Sequence, residues 1–256
     1  MVGDVVGGVG LRALLEHLPA LREAHAPDIV VVNAENAAAG SGTAPRQVER
    51  LLDAGVDVLT GGNHTLRRSE TLPLLTSEPR LLRPANIAVK APGRGLVTVQ
   101  TPVGPVSVVN LMGAVFMTVS QSPFMIIDDL VREARAAADI VLVDFHAEAT
   151  SEKVAMGHHL AGRVTAVVGT HTHVQTADAR ILDGGTAYVT DLGMTGPHDS
   201  VIGVQKETIL ARFLTGSGGR FEPASGGVLV QGAVIEAGVD GRATSIATFS
   251  VEADPA

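Results

Sequence analysis

The feature that most constrains the fold is an alternation of apolar, β-branched runs with helical repeats. Segments between the runs carry apolar residues every three or four positions, which is the period of an amphipathic helix. The runs are apolar along their whole length, which is typical of strands covered on both faces. This order predicts βαβ units and an α/β fold. The predicted strands are residues 29–32, 56–60, 106–111, 140–145 and 164–168.

The predicted helices lie between these strands, and the last third of the chain has a different pattern. Pro19 falls inside the first helical repeat and is expected to break or kink it. Glycine-rich turns near the end of the chain separate short β-like runs, which predicts a second, more antiparallel sheet. The helical repeats span residues 11–21, 48–52, 126–137 and 152–160, and the late β-like runs span 228–230, 233–236 and 244–251.

Composition narrows the class of function. The 256-residue chain has no cysteine, which excludes disulfides, thiolate nucleophiles and zinc fingers. Its net charge of −8 and aromatic content of 3% make long nucleic acid a poor candidate as main ligand. No apolar run is long enough to span a bilayer, and the first residues lack the pattern of a signal peptide. We therefore expect a cytoplasmic protein with no membrane partner.

Side chains that can bind a metal follow the apolar runs. Loops at the carboxyl ends of strands in an α/β sheet converge on one crevice, so these side chains are predicted to meet there. The donors are carboxylate, amide and imidazole groups without sulfur, a set that suits Mn²⁺, Fe or Zn²⁺ better than Ca²⁺. The candidates are Asp4, Glu35, Asn36, Asn63, His64, His146, His171 and His173.

Each candidate also has an ordinary structural explanation. His171 and His173 would face the same way on an extended segment, but such a pair is about as often a solvated surface pair. His146 alone could be a buried structural histidine, and Asp4 could cap the first helix. All these residues are predicted at strand ends, and one metal site explains this better than a separate structural role for each residue.

The order of the motifs resembles the calcineurin-like metallophosphoesterase superfamily. The motifs are Gly3-Asp4, Gly62-Asn63-His64, a histidine after a later strand, and Gly169-Thr170-His171-Thr172-His173. Residues 33–37, 83–86, 144–153 and 194–200 resemble more closely its YmdB-like branch, described as 2′,3′-cyclic-nucleotide 2′-phosphodiesterases. The resemblance runs from Gly3 to about Phe249. It implies a four-layer αββα fold, in which helices flank a two-sheet β-sandwich core.

Two departures from the wider superfamily are shared with the YmdB-like branch. The superfamily usually has Asp-x-His in its first motif, whereas Val5 and Val6 follow Asp4 here. Its second motif usually ends in aspartate, whereas this chain has Glu35-Asn36. Only Met1 and Val2 precede Gly3, so the first strand is expected to be very short, or the given chain begins inside it. We predict one domain over residues 1–251 and a loose tail over 252–256.

The resemblance also implies roles for the site residues. One metal ion would be held by Asp4, Glu35, Asn36 and His173. A second would be held by Glu35, Asn63, His146 and His171, with Glu35 bridging the two ions. His64 would be the general acid that protonates the leaving oxygen. The ions would be Fe or Mn, with Zn as a further candidate, and the chain is expected to form a homo-oligomer.

The predicted reaction is hydrolysis of a phosphodiester by metal hydroxide, with 2′,3′-cyclic nucleotides as substrates and 3′-nucleotides as products. Two other readings stay open. The first is a broader phosphodiesterase or phosphomonoesterase that also accepts 3′,5′-cyclic nucleotides. The second is a metal-binding regulatory or RNA-associated protein with weak catalysis.

Overall fold

Two β-sheets lie face to face, with helices on both outer sides. The structure is a computed structural model that describes residues 1–88 and 90–253. The strands are β1 (Asp4–Val5), β2 (Val31–Asn33), β3 (Val58–Thr60), β4 (Leu96–Thr101), β5 (Gly104–Met112), β6 (Ile140–His146), β7 (Ala166–Thr170), β8 (Arg180–Leu182), β9 (Thr186–Val189), β10 (Met194–Pro197), β11 (Val228–Ala237) and β12 (Ala243–Glu252). The helices are α1 (Gly7–His25), α2 (Pro45–Asp53), α3 (Leu72–Ser77), α4 (Pro123–Ala137), α5 (Thr150–Leu160) and α6 (Lys206–Thr215), with a 3-10 turn at Ser69–Thr71.

The first sheet joins the two ends of the chain. Its strand order is β1-β10-β11-β12, with β1 and β10 parallel and the other pairs antiparallel. The parallel pair β2-β3 continues this sheet through Val2, which forms bridges to both Val32 and Gly232. The first strand is as short as expected, since β1 has two residues.

The second sheet contains the predicted parallel core. Its order is β4-β5-β6-β7-β9-β8, and the four central strands β5, β6, β7 and β9 are parallel. The edge strands β4 and β8 pair antiparallel. Parallel central strands place their carboxyl ends at one edge, and that edge also receives the loops after β1, β2 and β3.

Three apolar layers separate the helices and the two sheets. Leu11, Leu14 and Leu51 pack α1 and α2 against the first sheet. Val31 of the first sheet packs with Val108 of the second in the layer between the sheets. On the far side, α4 and α5 pack against β5, β6 and β7 in a third cluster. The predicted αββα order of layers is confirmed.

The details differ from the sequence prediction at two places. Pro19 does not break helix α1, which continues to His25, because the buried side of this helix outweighs the one backbone hydrogen bond that proline removes. The predicted runs 228–230 and 233–236 form one strand, β11, which makes an antiparallel hairpin with β12.

The predicted tail lies partly outside the described residues. Glu252 is the last residue of β12 and Ala253 is buried, so the ordered sheet extends one residue past the predicted domain end. Residues 254–256 are not among those described. Within the described ranges, none of the helices combines the length and the apolar character needed to cross a membrane.

Candidate metal centre

The structure brings all eight predicted site residues to one crevice at the carboxyl ends of the strands. Asp4 lies on β1 and His146 ends β6, whereas the other six lie in the turns after β2, β3 and β7. Asp4, Glu35 and His146 have at most 1% of their surface exposed. The crevice is therefore lined by buried polar groups from both sheets. The six turn residues are Glu35, Asn36, Asn63, His64, His171 and His173.

His146 Nε2 is the centre of the second predicted ligand set. It lies 3.0 Å from Asn63 Oδ1, 3.1 Å from His171 Nδ1 and 3.2 Å from Glu35 Oε1. The donor atoms of Glu35, His146 and His171 all lie within 4.8 Å of one another, close enough to share one ion. The other three residues of this predicted set thus all contact His146.

The first predicted set surrounds an oxygen of Asp4. Asp4 Oδ1 is buried, and it has no hydrogen-bond partner within residues 1–88 and 90–253. It lies 3.9 Å from His173 Nε2, which in turn lies 3.2 Å from Asn36 Nδ2. A buried carboxylate oxygen without a partner costs free energy unless a cation or donor reaches it. The residues present therefore fit a bound cation at this point.

Asn36 also links the two sets to His64. Its Nδ2 lies 3.3 Å from Glu35 Oε1, and its Oδ1 lies 2.7 Å from His64 Nδ1. Asn36 Oδ1, the atom that would hold an ion, thus already has one contact, to His64, and keeps a second lone pair. The His64 backbone N–H donates to Glu35 Oε2 at 3.0 Å, and the His64 side chain keeps 20% of its surface exposed.

A group behind each of the three predicted ligand imidazoles fixes its orientation. His146 Nδ1 contacts Thr170 Oγ1 at 2.9 Å, and His173 Nδ1 donates to the carbonyl of Ile202 at 2.8 Å. His171 Nε2 pairs with Glu148 Oε2 at 2.8 Å. Histidines that bind metals commonly use their second nitrogen in this way, which leaves the other lone pair for the ion.

Burial and neighbouring charges shift the pKa values of the crevice residues in different directions. Burial alone would raise the pKa of Glu35, but the neighbouring His146 and His64 hold it well below its usual range. Burial alone would lower the pKa of His146, but the negative charges of Glu35 and Asp4 outweigh it and raise this pKa to about 9. Burial and the adjacent His146 lower the pKa of His171 to about 3, so its lone pair stays free.

The turn that carries the two later histidines is not extended, in contrast to the sequence prediction. His171 has φ of 104° and His173 has φ of 64°, both in the left-handed region. Such a conformation costs a non-glycine residue about 1–3 kcal/mol. The expected shared face of an extended His-x-His pair is therefore wrong. The two imidazoles instead diverge, one to His146 and the other to Asp4 and Asn36.

Gly62 shows how closely the chain approaches the donors. A Cβ at this position would overlap both the Glu35 carboxylate and the His146 ring. Glycine is therefore needed immediately before Asn63, because any side chain would fill the space between the donor atoms. This explains in physical terms why the Gly-Asn-His motif begins with glycine.

Several residues around the centre were not predicted from the sequence. Glu148 and Thr170 contact imidazoles of predicted ligands, and Asp144 accepts from Thr170 Oγ1 at 2.7 Å. Lys153 and Asp191 form a fully buried ion pair beside the His171–His173 turn. Glu148, Asp144 and Lys153 fall in the stretch 144–153 that resembles the YmdB-like branch. That stretch was the available signal, but it did not reveal what each side chain contacts.

Comparisons with known proteins agree with this fold. The chain is 44% identical over 235 residues to the 2′,3′-cyclic-nucleotide 2′-phosphodiesterase of Bacillus subtilis (strain 168), covering 92% of this chain and 89% of the relative. A hypothetical protein from Thermus thermophilus superposes with a TM-score of 0.91 at 42% identity, covering 98% of this chain and 97% of that one.

A second solved structure connects the fold to an activity class. A novel phosphatase from Mycoplasma pneumoniae superposes with a TM-score of 0.91 at 34% identity, covering 99% of this chain and 93% of that chain. The fold is that of the metallophosphoesterases, as the resemblance implied. The model of YmdB-like proteins matches residues 1–249. The chain therefore belongs to the YmdB-like family, and the family predicted from its motifs is confirmed.

Proposed function

We propose that this metallophosphoesterase hydrolyses 2′,3′-cyclic nucleotides to 3′-nucleotides with two divalent metal ions in the crevice. The observation that carries the proposal is that the seven predicted ligands form one cluster, which centres on His146 Nε2 and Asp4 Oδ1. The substrate class rests on the similarity to the Bacillus subtilis phosphodiesterase.

The proposed ions would be held by both sides of the crevice. Asp4, Asn36 and His173 would bind one ion, while Asn63, His146 and His171 would bind the other, and Glu35 would bridge them. Two divalent ions at such a site neutralise phosphate charge and activate a water molecule for attack. Against about +4 from the ions, the two carboxylates contribute −2, so the occupied site would attract an anion. Iron and manganese suit this set of oxygen and imidazole donors.

His64 is the proposed general acid. Its Nδ1 faces Asn36 and Glu35, and its ring is partly exposed, so a substrate could reach it. An imidazolium at this edge can donate a proton to the departing ribose oxygen. Breaking the bond between phosphorus and O2′ then leaves the phosphate on O3′.

The experiment that tests the function is a product analysis with metal-loaded protein. Protein loaded with Mn²⁺ or Fe²⁺ is incubated with 2′,3′-cyclic AMP, 3′,5′-cyclic AMP and p-nitrophenyl phosphate, and products are separated by chromatography. We expect 3′-AMP from the first substrate, and protein stripped by a chelator should lose this turnover. Formation of 2′-AMP would contradict the proposed leaving group, and faster turnover of p-nitrophenyl phosphate would favour the broader phosphomonoesterase.

The alternative, a metal-binding regulatory protein, predicts a different experimental result. Metal that binds tightly without turnover of any phosphodiester would favour a regulatory protein. The crevice argues for catalysis, because His64 contacts two proposed ligands and is still partly exposed beside them. A site that only stores an ion has no need of such a group.

A further inference from the structure

The stretch 144–153 holds charged groups to which the proposed chemistry gives no role. Two of them are buried on α5: Lys153 is 1% exposed and Glu152 is 7% exposed. Lys153 Nζ lies 2.7 Å from Asp191 Oδ2, and Asp191 is itself completely buried after β9. A buried ion pair is weak evidence for stability, since apolar replacements are often neutral or stabilising. Its location therefore matters more than its energy.

Asp191 joins this ion pair to the histidine turn. Its Oδ2 accepts from the backbone N–H of Thr172 at 3.1 Å and from Thr172 Oγ1 at 2.8 Å. Its Oδ1 accepts from the backbone N–H of Gly193 at 2.9 Å. Thr172 lies between His171 and His173, both of which have the unfavourable left-handed backbone. The Asp191 carboxylate thus binds the central residue of the strained turn through two hydrogen bonds.

The opposite face of the same turn is held by a proposed metal ligand. The backbone N–H of His171 donates to Asp4 Oδ2 at 2.9 Å, so consecutive N–H groups of the turn point at two different carboxylates. Lys153 reaches Asp191 across Gly169, where a Cβ would lie 3.0 Å from Lys153 Cδ and would overlap the carbonyl of Thr190. Gly169 in β7 thus leaves room for the side chain of Lys153.

We propose that Lys153 and Asp191 are positioning residues that hold the His171–His173 turn in the conformation required to bind metal. Asp191 supplies the acceptor for the turn, and Lys153 keeps that buried carboxylate in place. The inference rests on the proposed function only in assuming that the two imidazoles of this turn bind metal ions. The geometry of the turn itself can be tested in the metal-free chain.

The test uses three variants and a matched control. Asp191→Asn removes the negative charge, Lys153→Met removes the positive charge, and Thr172→Val removes one hydroxyl donor without changing charge. The control is Glu152→Gln, since Glu152 is also a buried carboxylate that accepts two backbone N–H groups, those of Ala114 and Val115. The control lies on the same helix but holds a different loop.

The first measurement is hydrogen–deuterium exchange of the peptide that contains Thr172, in metal-free protein. We expect faster exchange of this peptide in Asp191→Asn and Lys153→Met than in the original chain, and no such change in Glu152→Gln. Unchanged exchange in both ion-pair variants would overturn the proposal, whatever the protein catalyses. Thr172→Val keeps the test decisive if an ion-pair variant does not fold, because it should show the same local effect more weakly.

The second measurement is Mn²⁺ affinity by calorimetry. A role through charge alone predicts opposite effects, because loss of Asp191 removes attraction for a cation while loss of Lys153 removes repulsion. Positioning predicts that both variants bind Mn²⁺ more weakly, by about 10–100-fold, with a smaller loss for Thr172→Val. Tighter binding by Lys153→Met, or an equal loss in Glu152→Gln, would contradict positioning. Absence of turnover with these affinities intact would count against the proposed function alone.

Discussion

The two sides of the candidate metal centre are built by different means. Asp4, Glu35 and Asn36 come from the first sheet, and none of these three has a positive φ. Their positions follow from ordinary strand pairing, such as the bridge between Val6 and Asn36. On the other side, His171 has a left-handed backbone, and its ring is oriented by a contact with Glu148.

The two sides therefore carry different free-energy costs. The first side concentrates negative charge in a buried place, so its cost is electrostatic and a cation removes it. The second side uses imidazoles on a strained turn, so its cost is conformational and hydrogen bonds offset it. A variant on the first side should therefore act through charge, and a variant on the second through geometry.

Glu35→Gln should have the largest effect, because Glu35 is proposed to bind both ions. A neutral amide is a poor bridge between two cations, so we expect loss of both ions. The rate of cyclic nucleotide hydrolysis should then fall by at least about 10⁴-fold. Elemental analysis and a turnover assay measure the two effects. Glu23→Gln changes an exposed glutamate on α1 and should leave both unchanged. Retention of both ions by Glu35→Gln would refute the bridging role.

His64→Ala tests an imidazole that lies on the first side, in contact with Glu35 and Asn36. As a general acid it should contribute about 10²–10⁴ in kcat on 2′,3′-cyclic AMP, with both ions retained. The loss should shrink for bis-p-nitrophenyl phosphate, because a phenolate leaves without a proton. His158→Ala, an exposed histidine on α5, is the control. Equal losses on both substrates would exclude the acid role, and loss of ions would make His64 structural.

Asp4→Asn tests the electrostatic cost directly, in metal-free protein. Burial raises the pKa of Asp4 from 3.8 to about 6, so at pH 7 its ionised form is less favourable in the folded protein than in the unfolded chain. We expect the variant to raise the free energy of unfolding at pH 7 by about 1–3 kcal/mol. The gain should fade as the pH falls from 6 and disappear below about pH 4, where both states bind the proton.

Urea denaturation at pH 7 and pH 4 measures this effect. Asp28→Asn, which alters an exposed aspartate, should change little at either pH. A loss of stability in Asp4→Asn at pH 7 would show that the unpartnered oxygen carries no electrostatic cost. The same variant should bind metal more weakly, so function and stability would move in opposite directions.

The sequence contained most of the first side and less of the second. Asp4 and Glu35 on the first side each follow an apolar run, so strand topology alone brings them together. On the second side, His146 was predictable for the same reason, since it ends β6. The backbone of His171 and His173 could not be predicted, because a left-handed turn is unfavourable for histidine and is held by distant groups. The pair Lys153 and Asp191 is separated by 38 residues, and no local pattern connects them. Long-range contacts of this kind are visible only in the folded chain.

The pairing of β1 has a consequence for how the protein is made. Asp4 lies on a strand whose neighbour β10 begins at Met194, and Val2 bridges to Gly232 of β11. During synthesis, the sheet around β1 therefore cannot close until β10 and β11, about 190–230 residues further along the chain, have been made. Contacts across such long sequence separations slow folding, and incomplete chains expose unpaired strand edges. The proposed metal site should thus form only after β10 has been synthesised, because Asp4 is held in place by that pairing.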